Sequence, residues 1–177
     1  MNNTKTIFKS LLIMIVAISL FTVSCSKDEG GTKTPTNPTQ PITITANSIT
    51  TAFKGLGTIT IGKMKFDFTG FNGEANSRTK EGTLNNDGET TLEKATIEKK
   101  FNDGLKGKVS GATVDAKVTT TQFPEIASTT AIDITITITP NIGNSFATTL
   151  TPYENKNGTV TVTLTLKPEG TKKWNGA

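Results

Sequence analysis

The chain has 177 residues, of which 33% are hydrophobic, 6% aromatic and 19% charged, with one cysteine and no histidine. That suffices for one ordinary domain of β-rich character, because threonine, about a fifth of the chain, favours strands. The missing histidine removes the commonest general base and a common metal ligand, and a net charge of +4 spread over a mixed surface does not mark a nucleic-acid binder.

The amino terminus reads as a secretion signal over residues 1–24. Lys5 and Lys9 supply a basic leader, and LLIMIVAISLF, Leu11 to Phe21, is an apolar run too short for a stable membrane span of about 20 residues. Small and mid-sized residues then lead to Cys25. The stretch TVSC, Thr22 to Cys25, resembles the lipobox of bacterial lipoproteins, with Ser24 at the small position and Thr22 where that family prefers leucine. The resemblance implies cleavage before Cys25 and acylation of its sulfur, so that Cys25 is a lipidation site and the membrane a partner through the lipid anchor. An ordinary signal peptide with an incidental cysteine is the alternative. An exported chain with one unpaired thiol is unusual, and lipidation accounts for it.

SKDE, Ser26 to Glu29, resembles the export signals of Bacteroidetes surface lipoproteins, which implies a place on the outer face of the outer membrane; a plain soluble spacer is the bland alternative. Gly30 to Pro41, with Pro35, Pro38 and Pro41, continues it as a solvated tether, so that 25–41 is expected to be linker. At about 3 Å per residue it holds the folded part some tens of ångströms from its anchor. A single globular domain is expected over 42–177.

Within that domain, TITI at 58–61 and MKFDF at 64–68 alternate with period two, the latter placing Met64, Phe66 and Phe68 on one face. Gly70, Gly73, Gly82 and Gly88 punctuate a polar stretch read as loops with one short strand. Residues 90–104 form the best helix candidate, with Thr90 or Thr91 as cap, Leu92, Ala95, Ile97 and Phe101 as apolar stripe, and Gly104 as terminator. Further strand-like sequence follows around Ala112 to Thr119. AIDITITITP, 131–140, alternates strictly, with Ile132, Ile134, Ile136 and Ile138 inward. GTVTVTLTLKP, 158–168, repeats the pattern with Val160, Val162, Leu164 and Leu166. Residues 145–153 are expected to pair with this last strand through a turn at Asn155 to Gly158, since Asn-Gly between alternating runs marks a hairpin. The expected fold class is therefore α+β: a mainly antiparallel sheet covered on one face by one or two helices. An all-β sandwich is the alternative.

The span from Thr90 to Ala177, through TVTVTLTLKP and the closing EGTKKW with Gly170 and Trp174, is similar to lipoprotein-17-type domains of variable surface lipoproteins. The resemblance implies a surface or antigenic lipoprotein with no catalytic residues to carry over. Trp174 by itself reads more simply as a cap on the core edge than as a ligand platform.

The charge distribution supports no nucleic-acid partner. Of the 19 basic residues, Lys5 and Lys9 lie in the leading segment, and the 17 that remain face 15 acidic ones. Arg78 is the sole arginine. Lys99, Lys100, Lys106 and Lys108 cluster, but Glu93, Glu98 and Asp103 interleave with them. Asp67, Glu74, Glu81, Asp87 and Glu89 are the carboxylates from which a glycosidase pair or a calcium site would have to be built. NNDGET, 85–90, lacks the spacing of a calcium loop and reads as a solvated turn. No catalytic residue, no cofactor and no metal is expected. What remains is a lipid-anchored surface module that binds a protein or matrix partner outside the cell, or a structural or antigenic coat protein without a specific ligand.

Overall fold

The computed structural model describes residues 40–177; the signal, Cys25 and nearly all of the expected tether lie outside the described residues. The fold is α+β. The chain order is β1 (Thr43–Ile44), α1 (Ala46–Lys54), β2 (Thr58–Ile61), β3 (Met64–Asp67), α2 (Ala75–Arg78), β4 (Thr79–Leu84), α3 (Lys94–Leu105), β5 (Ala112–Val118), β6 (Ile132–Pro140), β7 (Ser145–Phe146), β8 (Asn155–Lys156) and β9 (Thr159–Pro168). Seven strands form one curled sheet in the order β2-β3-β4-β9-β6-β5, with β8 also on β9. Its neighbours are antiparallel except β4 and β9, which run parallel.

The alternating strands fall where the period-two pattern puts them. Ile134 stands opposite Leu164 and Ile136 opposite Val162 on the buried face, while Thr135 meets Thr163 and Thr137 meets Thr161 on the other. Met64, Phe66 and Phe68 are all buried, and α1 and α3 cover the same apolar face. Phe53 of α1 stacks on Phe71 with ring centroids 4.6 Å apart, and Phe101 of α3 meets Phe68 edge to face at 5.8 Å. Each such aromatic contributes about 1.5–3 kcal/mol through burial.

Several expectations need correction. Residues 145–153 do not pair with the last strand. The hairpin across Asn157 and Gly158 exists, both residues having positive φ (53° and 81°), but its first strand is only β8. β7 pairs instead with β1, in parallel, and β9 is flanked by β6 and β4. The expected helix begins later, at Lys94, with Glu93 in the cap position but no side-chain cap bond. Its buried stripe is Ile97, Phe101 and Leu105, at the i, i+4, i+8 spacing that shares one helical face, whereas Ala95 is exposed and Gly104 lies inside the last turn. The 71–90 stretch holds one short strand, as expected, but β4 lies inside the sheet, and the short helix α2 departs from the expected loops. Finally, α1 has no counterpart among the expected elements. It starts with a reciprocal cap, Thr45 Oγ1 accepting from Ser48 N–H at 3.2 Å and Ser48 Oγ from Thr45 N–H at 3.1 Å. Ile49, Ala52 and Phe53 form its buried face.

Helix α3 faces both outer strands of the sheet. Lys100 Nζ donates to the Thr60 carbonyl of β2 at 2.7 Å. On the other flank Asn102 and Glu98 bond the backbone of β5. The sheet curls so that its two margins meet the same helix, which satisfies backbone groups that an open sheet would leave unpaired.

Candidate functional site

The carboxylates singled out from the sequence do not converge. Asp67 is exposed and accepts from the Thr69 N–H and hydroxyl, each at 2.8 Å, and the backbone bond leads in holding its carboxyl below the usual range. Glu81 pairs with Lys167 at 2.7 Å and Glu89 with Lys100 at 2.8 Å. Glu74 precedes α2 without capping it, and Asp87 sits exposed in the turn after β4. Among the described residues no three His, Cys, Asp or Glu side chains come close enough to hold a metal ion.

Arg78 has a role the sequence reading missed. Its Nε donates to the Gly73 carbonyl at 3.0 Å and its Nη2 to that of Pro152 at 3.1 Å. The guanidinium lies 5.8 Å from the centre of the Tyr153 ring, whose hydroxyl shares a 2.8 Å bond with Thr50 Oγ1. A cluster of Arg78, Tyr153 and Thr50 thus ties three segments remote in sequence. Gly73, at φ 82°, must be glycine here, because a Cβ would collide with the Tyr153 ring. The only advance signal was that one basic residue in nineteen is arginine, the side chain suited to bonding two carbonyls while stacking on a ring.

Trp174 is fully buried, as the simpler reading of it held, and it organises one end of the molecule. Its Nε1 donates to the Thr130 carbonyl at 2.9 Å, its backbone N–H to Ser128, and Asn175 N–H to Ile126. Its own carbonyl accepts from Lys63 N–H at 2.7 Å, and its ring lies 5.8 Å from Phe66. The C-terminal segment therefore clamps the β5–β6 connection. That connection bounds an open cleft of about 430 Å³ lined by Gln122, Phe123, Pro124, Glu125 and Ser128 among others. Its chemistry is hydrogen bonding with one carboxylate and one half-buried aromatic ring. Ser128 Oγ donates to Thr130 Oγ1 at 2.8 Å and accepts from Thr130 N–H, so it is engaged within its own loop. A second cleft of about 250 Å³ lies over Arg78, Pro152, Glu154, Lys156 and Thr161.

Such a fold, with polar clefts at its loops, defines a small curled-sheet α+β domain. Compared with known proteins, the chain matches no family model, no curated protein and no solved structure.

Proposed function

We propose that this is a lipid-anchored lipoprotein of the outer membrane, exposed at the cell surface, whose domain engages protein or matrix partners without catalysing a reaction. The observation that carries the reading is the lone Cys25, placed after the apolar run Leu11 to Phe21 and before SKDE. The polar clefts at the β5–β6 connection and over Arg78 present hydrogen-bonding groups to solvent, which supports the partner reading. A second reading, a structural or antigenic coat protein without a specific ligand, draws support from the surface. Among the described residues Leu84 and Ile142 are the exposed large apolar side chains, and they do not form one patch, since β4 and β6 carry them to opposite ends of the sheet.

The test is protease shaving of intact cells expressing the wild type or Cys25→Ala, with mass spectrometry of the amino terminus. An acylated Cys25 and release of the domain from whole cells support the surface reading. Acylation with protection from protease places the domain inside the envelope and favours a structural role there. An unmodified Cys25 removes the anchor.

A further inference from the structure

The connection from β6 to β7 turns tightly over Asn141 to Asn144, closed by Asn144 N–H donating to the Asn141 carbonyl at 2.9 Å, with Gly143 at φ 84°. That geometry calls for glycine at 143 and makes no demand for an apolar side chain at 142. Position 142 nevertheless holds isoleucine, fully exposed at 107% of its reference area. Beside it the chain enters the domain. Ile42 N–H donates to Asn144 Oδ1 at 2.8 Å, and Ser145 N–H to the Ile42 carbonyl at 3.2 Å. Gly111 packs against both, its carbonyl accepting from Asn141 N–H and Asn144 Nδ2. This draws the segment after α3, with exposed Lys106 and Lys108, toward the same end. The aliphatic stem of Lys108 reaches Gly55, next to exposed Lys54.

None of these three lysines has a carboxylate within ion-pairing distance among the described residues. The segments that build this end, 41–58, 104–114 and 138–147, contain no Asp or Glu. Of the flanking acids, Asp103, Asp115 and Glu154 are held by Lys99, Lys117 and Lys156, and Asp67, opposite Thr58, is bonded to Thr69.

We propose that this end of the domain docks on an anionic, phosphate-bearing bilayer surface, Ile142 entering the headgroup layer and Lys54, Lys106 and Lys108 lying over the phosphates. The proposal rests on the anchor reading for its geometry. The chain from Cys25 to Ile42, at about 3.3–3.6 Å per residue, keeps Ile42 and its neighbours within roughly 60 Å of the membrane. Tethering at that range raises the local concentration of this end, which carries the most exposed apolar side chain among the described residues beside three unpaired lysines. Each lysine near such a surface strengthens association about fivefold, and the isoleucine adds apolar burial. The domain then sits on the membrane instead of standing off it, and the Trp174 end, at the far end of β6, points away.

The experiment uses the full-length protein extracted from membranes and returned to phosphatidylcholine vesicles with or without phosphatidylglycerol. Ile142→Cys carries an environment-sensitive fluorophore, and Thr129→Cys, at the far end, serves as control. With Cys25 acylated, the new thiol is the reactive one. The expected result is a several-fold rise and blue shift of emission at 142 on anionic vesicles only, quenched by brominated lipid. It is lost when Lys54, Lys106 and Lys108 are all changed to Gln, with circular dichroism unchanged. Vesicle-bound protein with a water-like signal at 142, or an equal response at 129, overturns docking and leaves the anchor standing. If mass spectrometry finds Cys25 unmodified, the anchor reading falls alone. The same comparison in a Cys25→Ala background then decides docking: a lysine-dependent response at 142 supports it, and a lysine-independent one overturns it.

Discussion

The side-chain amide of Asn102 meets both backbone polar groups of Ala116: Oδ1 accepts from the Ala116 N–H at 2.8 Å, and Nδ2 donates to its carbonyl at 3.0 Å. An asparagine on α3 thus takes the place a neighbouring strand would occupy along the free margin of β5. Glu98, one turn earlier, does the same for the Val118 N–H at 2.9 Å. Asn102→Ala is expected to lower stability by about 1–3 kcal/mol, because two partly buried backbone groups lose their partners. It also exposes a strand edge, so self-association should rise with concentration. Urea melts and sedimentation velocity read the two effects separately. A variant as stable and as monomeric as the wild type would mean that water serves that edge equally well.

Trp174 joins core packing to the loop clamp. Trp174→Ala is expected to cost about 3–5 kcal/mol, as for other large aromatic truncations. Trp174→Phe keeps a ring against Phe66 but drops the bond to Thr130, a loss of about 0.5–1.5 kcal/mol before any cavity. Chemical denaturation followed by circular dichroism measures both, and faster exchange of the Ser128 to Thr130 amides in the Phe variant would locate the loss.

Burial holds the Tyr153 phenol above the ordinary tyrosine range, against the opposing pull of the Thr50 bond and the Arg78 charge. The unfolded chain therefore releases this proton first. The stability contribution is complete below about pH 10 and is lost as pH rises from there through the higher folded value. Tyr153→Phe should be less stable near neutrality by about 0.5–1.5 kcal/mol, through the lost bond to Thr50. It should also lose stability less steeply above pH 10. Parallel curves for the two proteins in that window would exclude the burial argument.

Gly82 and Gly70 should respond differently to alanine. A Cβ at Gly82 would lie 2.7 Å from both Met64 Cβ and Phe66 Cζ, whereas one at Gly70 meets nothing within 4 Å. Gly82→Ala is expected to cost about 1–3 kcal/mol through overpacking, and Gly70→Ala to be neutral or slightly stabilising. Thermal melts of the pair decide it.

That contrast also explains what could be read from the sequence. In β6 and β9 the isoleucines, valines and leucines alternate with threonines without a break, so each strand declares its buried face by itself. β4 declares nothing: TKEGTL carries a glycine where the core-facing residue belongs, because the Phe66 ring from the adjoining strand fills that space. Its role depends on a side chain from another element, and period-two reading sees only its own. The Asn157-Gly158 turn was legible because both residues must adopt positive φ. The strand it joins to β9 was not, since a hairpin turn fixes direction and leaves length to the competition for β9, which β6 and β4 win. The cap of α1 uses serine where a glutamate would have been recognisable, and its threonines and isoleucine resemble strand. The Arg78 clamp and the cleft at 122–130 rest on contacts among segments far apart in sequence, which no local pattern encodes.

The position of β9 has a further consequence for how the protein comes into being. It is the last of the described strands in chain order, yet it lies between β4 and β6 and is the one strand that joins β2-β3-β4 to β6-β5 within the sheet, while α3 spans the two margins from outside. A nascent chain ending before Thr159 holds two half-sheets with no seam. A chain cut before Thr159 is expected to be cleaved by protease at concentrations that leave the chain with β9 intact, which limited proteolysis of the two checks. The two half-sheets thus become one body only when β9 is laid between them.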